Sequence, residues 1–475
     1  MAQNVPKYID RLFFDAACHF AQKYRDIEHV QKIIEQIEQH RKEPACGLWN
    51  TPPGVVKNRD ALLMLANLLR QNASSEVLKV FQYEIDRDVF KQKKYKMVFL
   101  LQEYSVFPAS EYLYRTAAAD PRFEVQAVYV PFVHNNQVGE DHNLETYRDE
   151  GIPVLNYDEY DLAAENPDIA IFTKPYNNIP KQYYISEVEK LVKYTIYIPY
   201  GLELNQRLIR YGFYDYCQYT VWRHLAYGFI VKEYGKQYGY RNGENIVVWG
   251  HPRVDNYLKE NRPAPNPVWQ EKIKGRKVIL WCPHHTIVPG PECVSTWVEN
   301  HETVFSIFEK HRDLVLLWRP HPLLFGALVN NNYMSQRELD AFLEKKRTQE
   351  NIILDQTSDY RIAFSMSDAL ITDGTTFSIE YLLTGKPLLI TTDSLDQFYE
   401  PEAMEDALYI GRTHEDIQSF VESILSGRDP KRKRREVFTE QLFFRPKDKS
   451  VSQNILDNIV LSIEKDSTSL FKFEE

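Results

Sequence analysis

Six short apolar runs in the second half of the chain restrict the possible folds more than any other feature. They read NIVVWG (245–250), KVILWCP (277–283), DLVLLWRP (313–320), NIILDQ (351–356), DALITDG (368–374) and KPLLITT (386–392). Each is too short for a core helix and is apolar at consecutive positions, so it reads as a strand buried on both faces. Helix-length stretches separate several of them, and buried strands alternating with helices specify a parallel, doubly wound sheet. An earlier series, KMVFLL (96–101), FEVQAVYV (123–130), PDIAIFT (167–173) and YTIYIPYG (194–201), repeats the texture. Ser110 to Ala119 reads as a helix between the first two.

The chain thus reads as two consecutive α/β sheets. Residues 1–92 form a helical N-terminal region, since Tyr8, Leu12, Ala16, Phe20 and Tyr24 recur every four positions. Residues 93–235 form the first Rossmann-like domain, 245–428 the second, and 429–475 a C-terminal helical segment. The glycine-bearing stretch Lys232 to Asn245 is the expected hinge, and a second strand series opens at Ile246.

Composition narrows the function. Lys and Arg total 57 against 67 Asp and Glu, a net charge of −10, which excludes broad nucleic-acid binding through a basic surface. Five scattered cysteines without CxxC spacing fit a reducing compartment. The N-terminus lacks the layout of a signal peptide and no run is long enough to span a bilayer, so a cytoplasmic location is expected. The basic run Lys431 to Arg435 is a solvated face or a contact with anionic lipid at the inner membrane surface.

In open α/β sheets ligands bind beyond the carboxyl ends of the strands. In the second half those ends carry His251 and Arg253, then Pro283, His284 and His285, then Arg319 and His321, and finally Asp373, Gly374, Thr375, Thr376 and Ser378. Four histidines and two arginines on one rim read as an anion site. Gly374 permits a tight turn, and Thr375, Thr376 and Ser378 fall where a helix N-terminus favours a phosphate, or else serve as ordinary caps. Glu380, one helical turn on, suits the two hydroxyls of a ribose. Neighbours on an extended chain point to opposite faces, so His284 and His285 are not expected to chelate one ion, and no metal site is expected.

These segments carry a family resemblance. GHPRVD, ILWCPHH, WRPHP and SDALITDGTTFSIEYLLTGKP, in this order, resemble the donor-binding half of the CDP-glycerol glycerophosphotransferase family, the teichoic-acid primases and polymerases. The resemblance implies a GT-B-like fold, in which two Rossmann-like domains face a cleft. It implies that Arg319 and His321 face the donor phosphates, that Asp373 to Ser378 form the phosphate turn and that Glu380 meets the nucleotide ribose. The implied partners are a CDP-linked polyol donor, with glycerol and ribitol both open, and a polymer or lipid-linked glycan acceptor. CMP is the implied product, in a cell-envelope or capsule pathway, with no cofactor required beyond a divalent cation such as Mg2+.

The sequence departs from the family at Tyr200, which stands where the polymerases carry a histidine general base. A tyrosine is a poor base near neutral pH. Glu103, His284 and His285 are the other candidates for removing the acceptor proton. A nucleotide-sugar glycosyltransferase, an epimerase of the same fold and a non-catalytic nucleotide-binding homologue remain alternatives.

Overall fold

The structure, a computed structural model, describes residues 94–469 apart from 135–136, 140, 207–208, 210–211, 213–219, 291–292, 374–375, 392–397 and 399. The helical region expected over residues 1–92, together with Gly374 and Thr375, lies outside the described residues.

The chain divides into two compact units. In the smaller, Arg122 joins the segment Asp120–Glu124 to the C-terminal helix by ion pairs to Asp120 (2.6 Å) and Asp457 (2.7 Å). The larger, Lys96–Ala119 and Val125–Ile455, carries almost all of two parallel sheets.

The first sheet contains strands β1 (Tyr95–Leu101), β2 (Phe123–Tyr129), β5 (Val154–Asn156), β6 (Ile169–Phe172), β7 (Tyr194–Tyr197), β8 (Arg223–Leu225) and β9 (Ile246–Val247), in the order β5-β2-β1-β6-β7-β8-β9. A small antiparallel ribbon, β3 (Val133–His134) with β4 (Gln137–Val138), stands apart. The second sheet contains β10 (Lys277–Cys282), β11 (Leu314–Trp318), β12 (Ile352–Leu354), β13 (Ala369–Thr372), β14 (Leu388–Thr391) and β15 (Tyr409–Gly411), in the order β12-β11-β10-β13-β14-β15. The pairing of β2 with β5, those along β1-β6-β7-β8-β9 and all those of the second sheet are parallel. The apolar runs are therefore strands, and they are continuous because helices cover both faces.

Each half has its own core. Val98, Leu100, Val128, Phe172, Tyr183 and Val188 anchor the first. In the second, the paired residues Trp281 and Trp318 pack with Trp297, which stacks on Trp281 at 4.9 Å between ring centres. This aromatic slab lies on the two strands whose ends carry Pro283 to His285 and Arg319 to His321, and so holds those ends at fixed spacing.

Two expectations are corrected. Ile246–Val247 does not open the second sheet: it is β9, the edge strand beside β8 in the first. The stretch expected to be a hinge is built into the same half, because Phe229–Tyr238 is a helix whose Gly235 lies against β9. A Cβ at Gly235 would come within 2.0 Å of Ile246 Cδ1. The glycine there serves close packing rather than bending. Past β9, Gly250 turns the chain at φ +93, where a Cβ would meet Val451 Cγ1 at 2.7 Å. Asp255 then accepts from the backbone N–H groups of Val451 (2.9 Å) and Ser452 (2.7 Å), capping the start of the helix Val451–Ser469. No helix among the described residues is long and apolar enough to cross a membrane.

Candidate functional site

The carboxyl ends of β10, β11 and β13 are adjacent, and they bring three histidines together. The ring centres of His284 and His285 lie 4.3 Å apart, those of His285 and His321 4.1 Å, and those of His284 and His321 5.0 Å. The expectation that His284 and His285 point to opposite faces fails because β10 ends at Cys282 and the chain is turning where they sit.

The backbone of this corner is held on several sides. Asp373 is buried and accepts the His284 N–H at 2.9 Å and 3.0 Å and the Thr296 N–H at 3.1 Å. Burial raises its carboxyl pKa to about 7, against the pull of those N–H groups. Ser295 Oγ donates to the His284 carbonyl at 2.8 Å. The His321 N–H donates to the carbonyl of buried Pro283 at 3.0 Å, tying the two strand ends together. Asp373, expected in the phosphate turn, thus organises the loop.

The imidazoles are held neutral. Burial, and then His285, lowers the pKa of His321 to about 4, while burial followed by its two neighbours lowers His284 to about 3. Burial also lowers His285. His321 Nδ1 accepts the Leu323 N–H at 3.1 Å, and His284 Nδ1 lies 2.9 Å from Thr286 Oγ1. His285 Nδ1 is buried with no hydrogen-bond partner among the described residues.

Arg319 does not share this corner's chemistry. Its guanidinium donates to Asp355 at 2.6 Å, to Thr357 Oγ1 at 3.2 Å and to the Thr357 carbonyl at 2.8 Å. It is the counter-charge of buried Asp355, binding the end of β11 to the end of β12.

A second cluster joins the halves. His251 is fully buried and its Nε2–H donates to the Pro199 carbonyl at 2.7 Å, while its Nδ1 accepts the Arg253 N–H at 3.2 Å. The Arg253 guanidinium donates to Glu380, to the Tyr360 hydroxyl and, at 2.5 Å, to the Tyr200 carbonyl. Glu380 also accepts from the hydroxyls of Tyr257 (2.9 Å) and Tyr360 (2.7 Å). Glu380 is 0% exposed and Arg253 4%. Glu380, expected at a ribose, and Arg253, expected at an anion site, are each other's partner in the interior. Ser378 is buried in the helix Thr376–Tyr381, and a Cβ on Gly201 would come 3.1 Å from Thr376 Oγ1. The Tyr200 loop therefore rests against the turn of the other half.

The first half contributes the ends of β1, β6 and β7. Glu103 pairs with Lys174 at 2.5 Å, the Lys174 ammonium lies 5.4 Å from the centre of the Tyr200 ring, and the Tyr176 and Tyr200 hydroxyls lie 3.2 Å apart. Burial, then the Tyr176 hydrogen bond, pushes the Tyr200 phenol well above its ordinary value, so it stays protonated. Glu203, in the same loop, was not legible as a site residue. Burial raises its carboxyl pKa to about 7. Lys174, Tyr176, Tyr257, Tyr360 and Asp355 were equally hidden. Lys174, two residues past the end of β6, could have been found by reading the first half's strand ends as closely as the second's.

Burial, followed by the charge of Arg253, depresses the pKa of His251 to about 3. The unfolded chain binds a proton there below about 6.5, whereas the folded chain does not. Its stabilisation is therefore complete above that pH and is lost as pH falls toward 3. His251→Gln keeps a donor for the Pro199 carbonyl without the titrating ring. Between pH 7 and 4.5 the wild-type melting temperature is expected to fall more than that of the variant. The opposing contributions of Asp373 and Glu203 are common to both proteins and cancel in the difference. Equal slopes would show that His251 titrates normally in the folded chain.

The model of one protein family, CDP-Glycerol:Poly(glycerophosphate) glycerophosphotransferase, matches residues 221–461, just over half of the chain. No curated protein matches. Among solved structures, a putative UDP-N-acetylglucosamine 2-epimerase from Listeria monocytogenes is similar at 17% identity and a TM-score of 0.53, covering 78% of this chain and 97% of its own. The S. aureus MnaA-UDP co-structure is similar at 15% identity and 0.51, again covering 78% and 97%. A variant of the wall teichoic acid polymerase TagF is similar at 16% identity and 0.50, covering 86% and 98%. At such identities the likeness concerns the fold, which is GT-B-like.

Proposed function

Because the chain belongs to the CDP-glycerol:poly(glycerophosphate) glycerophosphotransferase family, we propose that it transfers a polyol phosphate from a CDP-linked donor to a hydroxyl of a cell-surface polymer or glycan, releasing CMP. One observation carries the reading. The histidine of the Arg-Pro-His-Pro segment, His321, stands with His284 and His285 beyond adjacent strand ends, where open α/β sheets bind ligands.

In this reaction the acceptor oxygen forms a bond to the β-phosphorus of the donor. The bond from that phosphorus to the bridging oxygen breaks, and the electron pair leaves with CMP. The acceptor proton passes to a base. Neutral imidazoles suit both tasks: an N–H stabilises charge growing on the phosphoryl oxygens, and a bare nitrogen accepts a proton. In the metal-free chain His285 is the base we assign, because its buried Nδ1 is without a partner among the described residues. Glu103 is paired with Lys174, and Tyr200 holds its proton. Tyr200 and Tyr176 instead present hydroxyls that can position the acceptor.

Incubating the full chain with CDP-glycerol or CDP-ribitol and a cell-envelope acceptor extract, and resolving the nucleotides by chromatography, tests the reading. CMP accumulating only with acceptor present is the expected result. Release of a nucleoside diphosphate from a nucleotide sugar would replace phosphotransfer with glycosyl transfer.

A further inference from the structure

We propose that His284, His285 and His321 bind a divalent cation of the imidazole-preferring class, such as Zn2+ or Co2+. Each ring offers one nitrogen, and the three nitrogens lie within 4.8 Å of one another. In a tetrahedral site with metal–nitrogen distances of about 2.0–2.1 Å, ligand nitrogens stand about 3.3 Å apart, so a contraction of at most about 1.5 Å completes the geometry.

Three features favour an ion over a chance meeting of rings. First, the backbone beneath the rings is fixed before any ion arrives. Asp373 holds the His284 N–H, Ser295 the His284 carbonyl, and Pro283 the His321 N–H. Second, each ring can take the required tautomer. His284 Nδ1 accepts the Thr286 N–H at 3.3 Å, and by giving up that long contact for an Nδ1–H donated to Thr286 Oγ1 (2.9 Å) it frees Nε2 to ligate. His285 can ligate through Nδ1, a buried nitrogen otherwise without a partner among the described residues. His321 can ligate through Nδ1 only by exchanging for the ion the hydrogen bond it accepts from the Leu323 N–H at 3.1 Å. Third, the carboxylate that organises this corner, Asp373, has its oxygens occupied by backbone N–H groups. Among the described residues the cluster is three nitrogen donors without a free carboxylate, a set that selects a first-row transition ion over Mg2+, which prefers oxygen ligands.

The test is direct binding by the untagged full chain, freed of metal by chelator and titrated with Co2+ while its visible d–d bands are followed. One equivalent at a tetrahedral site is expected, with Mg2+ failing to compete. His284→Ala, His285→Ala and His321→Ala should each weaken binding at least about 100-fold, and Thr286→Val, which leaves the ligands in place, about 10–100-fold. Circular dichroism checks that each variant is folded. Absence of the bands, their persistence in the triple alanine variant, or displacement by an equal concentration of Mg2+ would overturn the proposal. This readout needs no donor, so its failure leaves the CMP-release result standing, and the reverse holds as well.

Discussion

Glu380→Ala is expected to cost about 3–5 kcal/mol of stability, the usual loss when one partner of a buried ion pair is removed. Glu380 is fully buried and Arg253 nearly so, and the carboxylate collects donors from Arg253, Tyr257 and Tyr360. Without it, the Arg253 cation keeps only the Tyr360 hydroxyl and the Tyr200 carbonyl, too little to offset its desolvation. At about 2–4 °C per kcal/mol, the melting midpoint should fall by roughly 6–20 °C. Arg253→Lys should also destabilise, since an ammonium cannot reproduce the planar fork that reaches Glu380, Tyr360 and the Tyr200 carbonyl at once. The measurement is thermal unfolding, paired with nucleotide binding at a temperature where both proteins are folded. A ribose-binding carboxylate would behave in the opposite way. If Glu380→Ala melted like the wild type but bound CDP more weakly, the carboxylate would belong to the ligand and the buried pair would be discarded.

The strands were legible because burial on both faces leaves no polar position in their buried stretches, and VILWC and LVLLW show this directly. The two-residue edge strand β9 was assigned to the wrong sheet because two residues carry no partner information. Position along a strand end was legible for His321, His284 and His285. What a charged side chain meets there was not, since it depends on residues far away in sequence. Arg253 finds Glu380 across 127 positions and Arg319 finds Asp355 across 36. A free arginine at a rim and a buried one in an ion pair look alike in one dimension. The meeting of His284 with His285 was missed for a local reason: the alternation rule was applied past the point where the strand stops.

The neighbours Arg319 and His321 are expected to fail in different ways when replaced. His321→Ala should lower turnover on the order of 10²–10³-fold, the usual cost of losing one group that stabilises developing charge. Its melting temperature should barely change, because the ring's side-chain hydrogen bond is a single contact from the exposed turn at Leu323. Arg319→Ala should instead act first on stability. Asp355 is 0% exposed and Arg319 13%, so the variant strands a buried carboxylate, again a matter of about 3–5 kcal/mol. Turnover per folded molecule should then fall only as far as the strand end shifts. A third variant, His321→Gln, separates the two ways the ring can act. An amide N–H recovers part of the rate if His321 donates to a phosphoryl oxygen, and recovers little if the ring ligates a cation, since amides are poor ligands for imidazole-preferring ions. Full turnover in His321→Ala would remove the residue from the chemistry. A rate loss in Arg319→Ala with unchanged melting would return the guanidinium to the donor phosphates and leave Asp355 without the role assigned to it.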